Sequence, residues 1–155
     1  RGGDPGDPGN RMMRRPAFTG ARDWTDEAPV RAVLWSLPLD SIVLVGDAPG
    51  LDDMVAHLCA ERGLPCERFV AEWLAHAAGW CRCSSPRPPS CKGAGPRRNQ
   101  RIVDEGKPTD GYAFPGPKST GTHDMIRRLR AAGLVVDVYG KRRPPVQAEM
   151  WGRRP

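Results

Sequence analysis

The chain has 155 residues, 39% of them hydrophobic and 27% charged, which suits one soluble domain built on a single core. No apolar run nears the roughly 20 residues that span a bilayer. The Gly/Pro/Asp-rich start is unlike a signal peptide. Five cysteines is an odd number for a secreted disulfide scaffold. The expectation is a cytoplasmic protein with reduced thiols.

The formal net charge of +6 belongs to the ends. Residues 1–15 hold four arginines against two aspartates, and residues 140–155 hold five cations against one glutamate, so the stretch between them is neutral. Basic ends of this kind are most often solvated tails. Residues 1–15 show no periodicity and are expected to form a disordered extension, and 141–155 a basic C-terminal tail on which Trp151 is the residue able to dock.

Between the ends, strand and helix patterns alternate. Pro16–Thr19 is a short first strand, with Pro16 tolerable only at its start. Residues 26–37 place Val30, Val33, Leu34 and Leu37 on one helical stripe. Ser41–Val45 is a continuous apolar run, typical of a strand buried on both faces. Leu51–Arg62 is the clearest helix, stopped by Gly63. Residues 66–70 read as a strand and 72–92 as irregular chain. Residues 97–105 read as a helix ended by Gly106, 111–114 as a strand, 122–132 as a helix and 134–139 as the last strand. Strict alternation means parallel strands joined by right-handed crossovers. The expected architecture is α/β, a Rossmann-like three-layer sandwich with an open parallel five-stranded sheet over residues 16–140.

Ligands of such sheets bind beyond the carboxyl ends of the strands. The first of these loops holds Gly20, Arg22 and Asp23. The second, Gly46, Asp47, Gly50 and Asp52, leads into the best helix. The loop after the fourth strand holds Pro115, Gly116, Lys118, Ser119, Thr120, Gly121 and Thr122. Glycines allow close backbone approach, and helix N-termini offer unpaired amides to a phosphate. Residues 81–101 add six cations and no acid, a local anion-attracting patch. Each element also has a plain structural reading: Thr122 as an N-cap, Asp52 and Asp53 as partners of a helix dipole, Arg22 as a surface arginine. Neither glycine loop is a Walker P-loop, and the first lacks a full G-x-G-x-x-G, so neither an ATPase nor an NAD dehydrogenase is indicated.

Four segments together, Gly20-Ala21-Arg22-Asp23-Trp24, Gly46-Asp47-Ala48-Pro49-Gly50-Leu51-Asp52, Ala94-Gly95-Pro96-Arg97-Arg98-Asn99 and Phe114-Pro115-Gly116 through Gly121-Thr122, resemble the YspA-like (cpYpsA-related) branch of the SLOG superfamily, common in actinobacteria and their phages. That superfamily also holds the LOG phosphoribohydrolases and the DNA-processing DprA/Smf proteins. The resemblance runs from about Arg15 to Tyr139. It implies a Rossmann-like fold that binds a nucleotide or nucleotide-derived ligand, as sensor or processing module, with Arg97 and Asn99 beside the loops above. Relatives are often dimers, so a homodimer is among its implications. LOG enzymes hydrolyse the N-glycosidic bond of nucleoside monophosphates with an arginine and a glutamate. The arginine maps onto Arg98. The glutamate position is Met125, with Asp124 beside it, so an N-glycosidase would have to use Arg98 and Asp124. The usual Pro-Gly-Gly-x-Gly-Thr is two residues longer here, and Pro117 removes an amide. Asp47 replaces a second glycine, and an acid weakens anion binding there. A DprA-like nucleic-acid binder is the third reading, disfavoured by the neutral core.

The chain also inserts a Cys/Pro-rich segment, 79–92. With His76 it offers four soft ligands, His76, Cys81, Cys83 and Cys91, enough for tetrahedral zinc, although Cys-x-Cys matches no common finger spacing. A mobile loop with exposed thiols is the alternative. Cys59 and Cys66 fall on apolar stripes and read as core. His57 and His123 read as helix-surface residues.

Overall fold

The structure, a computed structural model, describes residues 12–140. The expected C-terminal tail, with Trp151, and all but residues 12–15 of the expected N-terminal extension lie outside the described residues. Nine elements follow in order: β1 (Pro16–Gly20), α1 (Glu27–Ser36), β2 (Val43–Val45), α2 (Leu51–Arg62), β3 (Cys66–Arg68), α3 (Ala94–Asp104), β4 (Asp110–Phe114), α4 (Thr120–Ala131) and β5 (Val136–Val138). The five strands form one sheet in the order β3-β2-β1-β4-β5, and every pairing is parallel.

Successive strand residues point to opposite faces, so each strand feeds two cores. Phe18, Val43, Val45, Tyr112 and Phe114 pack under α1 and α2 with Leu34, Leu51, Val55 and Leu58. Ala17, Leu44 and Ala113 face the other way, under α3 and α4 with Ile102, Met125, Ile126 and Leu129. Burial on both faces explains why β2 reads as an unbroken apolar run rather than an alternating one. Phe18, Phe114 and Tyr139 add stacked rings across β1, β4 and the end of β5.

α2 closes as its sequence predicts. Gly63 adopts φ +80°, and the amides of Gly63 and Leu64 both donate to Cys59 O at 2.9 Å, as in a glycine-capped helix end. Two helices start earlier than their apolar periodicity indicates. α3 begins at Ala94 rather than Arg97, because the Cys91 turn feeds it directly, with Ala94 N donating to Cys91 O. Pro96 is tolerated there because first-turn amides lack helical acceptors. α4 begins at Thr120, so Thr122 lies inside the first turn and is no N-cap; Ser119 holds that position.

Arg14 and Arg15, expected in the disordered extension, belong to the sheet's amino end. Arg14 pairs with Asp110 and donates to Tyr112 Oη at 2.8 Å, while Arg15 Nε donates to Gly106 O at 2.7 Å. Cys59 is fully buried and Cys66 partly so, and His57 and His123 are exposed, as their positions predict. Among the described residues no helix is long and apolar enough to cross a membrane.

Candidate functional site

The strand order creates the site. The chain leaves β1 towards α1 on one face, and the crossover into β4 runs through α3 on the other. The loops following β1 and β4 therefore diverge, and a crevice opens between neighbouring strand ends at this switch point. A cleft of about 770 Å³ lies there, a volume typical of small-molecule sites.

Of the residues singled out from sequence, the cleft is lined by Gly20, Arg22, Asp23, Asp52, Arg98, Asn99, Lys118, Ser119, Thr120, Gly121, Thr122 and Asp124. Gly46, Asp47, Gly50, Arg97, Pro115 and Gly116 do not line it. Two of these glycines instead support it. Gly50 has φ +80°, and a Cβ there would stand 2.2 Å from Arg22 O, so only glycine lets α2 start against the loop after β1. A Cβ on Gly46 would stand 2.5 Å from Arg98 Nη1 and 2.7 Å from Asp52 Oδ2, so Gly46 makes room for a guanidinium.

That guanidinium organises one wall. Arg98 Nη1 donates to Asp47 Oδ1 at 2.5 Å and Nε donates to Asn99 Oδ1 at 3.2 Å. Asn99 Nδ2 in turn donates to Gly121 O at 3.2 Å and to Asp124 Oδ2 at 3.1 Å, tying α3 to α4. Both Asp124 oxygens also accept from arginines of their own helix, Arg127 Nη2 at 2.5 Å and Arg128 Nε at 2.8 Å. Met125, at the glutamate position of the LOG pattern, is 1% exposed in the core. The side of α4 that meets the cleft runs through Gly121 and Asp124, three residues apart on one helical face.

Asp52 is 6% exposed, and its Oδ2 accepts the Ala48 amide at 3.0 Å. Burial pushes its carboxyl up to about 6, against the Ala48 amide and the charge of Arg98. The folded chain thus keeps a proton that the unfolded chain gives up between about pH 4 and 6, so stability falls across that window and stays lower above it. Asp52→Asn removes this penalty. In urea unfolding it is expected to stabilise the protein at pH 8 by up to about 3 kcal/mol, and to change little below about pH 4.

At the N-terminus of α4 the amides of Gly121 and Thr122 have no acceptor among the described residues, whereas His123 N donates to Ser119 O at 3.0 Å. Lys118 and the hydroxyl-bearing Ser119 and Thr120 line the same end of the cleft. The loop carrying Gly46 and Asp52, also expected as a phosphate seat, presents carboxylates instead: Asp47 on Arg98 and Asp52 at the cleft. The basic stretch is partly neutralised too. Arg97 pairs with Glu72, Arg98 with Asp47 and Arg101 with Glu105.

Sequence reasoning missed Trp73. It lines the cleft, and Arg22 lies over its ring with 5.4 Å to the centroid. The signal was available: it is an aromatic residue in the loop following β3, on the ligand-binding edge. Lys92, Gly95 and Pro96 line the same cleft. Behind it, His76, Cys81, Cys83 and Cys91 bring four ligand atoms within 4.8 Å of one another, a group that could hold a metal ion. The Cys81 thiol is pushed down to about 6, chiefly by the Cys83 amide and then by His76.

No protein-family model matches the sequence, and no curated protein matches it. Among solved structures the chain is similar to DNA processing protein A (DprA) from Streptococcus pneumoniae, at 16% identity and a TM-score of 0.46. The match covers 81% of this chain and 58% of that one, so the chain spans less than two thirds of the length of the protein it is similar to.

Proposed function

We propose that the protein binds a nucleotide or nucleotide-derived ligand in the switch-point cleft, as a sensor or processing module of the SLOG type, YspA-like branch. The observation that carries this reading is the pair of unpartnered amides, Gly121 and Thr122, at a cleft that is also lined by an aromatic ring, Trp73. A phosphoryl group suits the α4 end, where the amides, Lys118 and two hydroxyls gather. A planar base suits Trp73. Asp52 lies on the same cleft and is an acceptor for a sugar hydroxyl. A purely anionic ligand would not suit a cleft lined by three carboxylates, Asp23 among them. The Cys/His cluster behind Trp73 takes zinc in this reading.

Thermal unfolding against AMP, GMP, ADP-ribose, ribose 5-phosphate and inorganic phosphate tests it. A nucleotide at 100 times its Kd stabilises the fold by about 2.7 kcal/mol, a rise of several degrees in Tm. The expected ranking places nucleotides above ribose 5-phosphate and phosphate. No shift with any of them contradicts the reading.

N-glycosidase chemistry has one observation in its favour, since Arg98 and Asp124 share the cleft and are bridged by Asn99. Against it, both Asp124 oxygens are already engaged by two guanidinium groups, which leaves this carboxylate a positioning group rather than an acid or base. Incubation with AMP or GMP is expected to release no free base above the rate without protein.

A further inference from the structure

We infer that His76, Cys81, Cys83 and Cys91 bind a structural zinc ion that pins the segment between β3 and α3 against α3 and thereby sets the Trp73 wall of the cleft. The metal site stands on its own geometry; its effect on ligand binding rests on the function proposed above.

Three thiols and one imidazole fill the four positions of a tetrahedron and leave none open, the pattern of a structural rather than a catalytic zinc. With Zn–S near 2.3 Å the edge of that tetrahedron is about 3.8 Å. Ligand atoms that all lie within 4.8 Å of one another close onto an ion by small side-chain adjustments.

The surroundings suit a metal. His76 Nε2 is 2.9 Å from Pro88 O, and a carbonyl can only accept, so Nε2 carries the proton. The lone pair is then on Nδ1, 3.3 Å from Cys81 Sγ and facing the thiols, the orientation that such outer hydrogen bonds fix in metal-bound histidines. Two sulfurs accept backbone amides, Cys83 from Lys92 at 3.3 Å and Cys91 from Gly93 at 3.4 Å, the kind of hydrogen bond that orients metal-ligating groups.

Beyond Phe69, which packs into the core under α3 and α4, the segment has little apolar order of its own. Between β3 and α3 the chain has no helix or strand over 25 residues, unusually long for a compact domain. Its buried cluster is only Ala71, Cys91 and Ala94, flanked by Trp73, Cys81 and Cys83. So small an apolar core calls for a staple, and metal binding supplies folding free energy directly.

The link to the cleft is short. The Cys91 amide donates to Trp73 O at 2.6 Å. Lys92 follows Cys91 immediately, and the Trp80 carbonyl abuts Gly93, where a Cβ would stand 2.2 Å away. Releasing the ion frees Trp73 and Lys92 together, while the sheet and its two main cores contain none of the four ligands.

Elemental analysis and native mass spectrometry of protein from zinc-supplemented expression are expected to give one zinc per chain. Cobalt exchange is expected to give the intense visible bands of tetrahedral thiolate coordination. The Cys81→Ser/Cys83→Ser double variant is expected to lose the ion, and Cys59→Ser, on α2 and outside the cluster, to keep it. Wild-type protein that retains no zinc after incubation with zinc and desalting overturns the site, whatever the folding of the variants. For the coupling, chelation is expected to weaken AMP binding at least tenfold without loss of far-ultraviolet circular dichroism from the helices, and added zinc to restore it. Equal AMP affinity with and without zinc overturns the coupling. Stoichiometric zinc with no AMP binding in either form overturns the ligand reading and leaves the metal site standing.

Discussion

Arg98→Ala is expected to lose nucleotide binding by at least about 100-fold and to destabilise the fold by about 3 kcal/mol. The guanidinium is 10% exposed and its partner Asp47 22%. Removing one member of so enclosed a pair leaves the other charge uncompensated, which costs far more than the pair contributes. Asp52 feels the same loss, because Arg98 is one of the charges holding its carboxyl down. The destabilisation is therefore expected to be larger at pH 8 than at pH 5, where Asp52 takes up a proton in the folded state. Urea unfolding at the two values measures it. Arg98 Nη2 has no protein acceptor among the described residues, so a ligand also loses a charged donor in this variant. Arg98→Lys keeps the charge but not the planar fork, and is expected to recover part of the stability and little of the binding.

Gly50→Ala is expected to cost about 3 kcal/mol or more, for two reasons that add. The residue has φ +80° and ψ −117°, a region that side chains rarely enter. The new methyl would also stand 2.2 Å from Arg22 O and 2.7 Å from Ala21 O. Both neighbours are backbone, so relief requires moving the loop after β1 away from α2. Leu51 N donates to Ala21 O at 3.1 Å, and that bond breaks with the movement. Arg22 then leaves Trp73, and nucleotide affinity is expected to fall along with stability. Gly121→Ala is the comparison: nothing lies within 4 Å of its Cβ, and a helical glycine replaced by alanine typically gains about 0.5–1 kcal/mol. Denaturant unfolding of the two variants side by side separates a required glycine from an incidental one.

The same contrast marks what sequence could disclose. Strands buried on both faces announce themselves as apolar runs, and α2 carries its own stop in Gly63, so the α/β alternation was legible. The sheet order was not, because the choice of face for each crossover leaves no local trace. The starts of α3 and α4 are hidden from periodicity, because their first turns, Ala94-Gly95-Pro96 and Thr120-Gly121, contain no apolar stripe. Most of the motif residues do meet at the cleft, but the arginine run is not free charge. Arg98 meets Asp47 across 51 positions in the chain, and Arg97 meets Glu72 across 25. Pairings of that range cannot be read from charge counts. Trp73 escapes a reading by pattern because a lone aromatic in irregular chain has no period to flag it. The four metal-ligand residues were visible as residue types, and their approach to one another was not.

An amide-resolved NMR titration of the zinc-loaded protein with AMP tests the central claim most directly. The expected result is saturable movement of the Gly121 and Thr122 amide resonances together with the Trp73 indole, and loss of all three responses in Arg98→Ala. Resonances that stay fixed at millimolar AMP, or that move only at the surface away from α4 and Trp73, would contradict it.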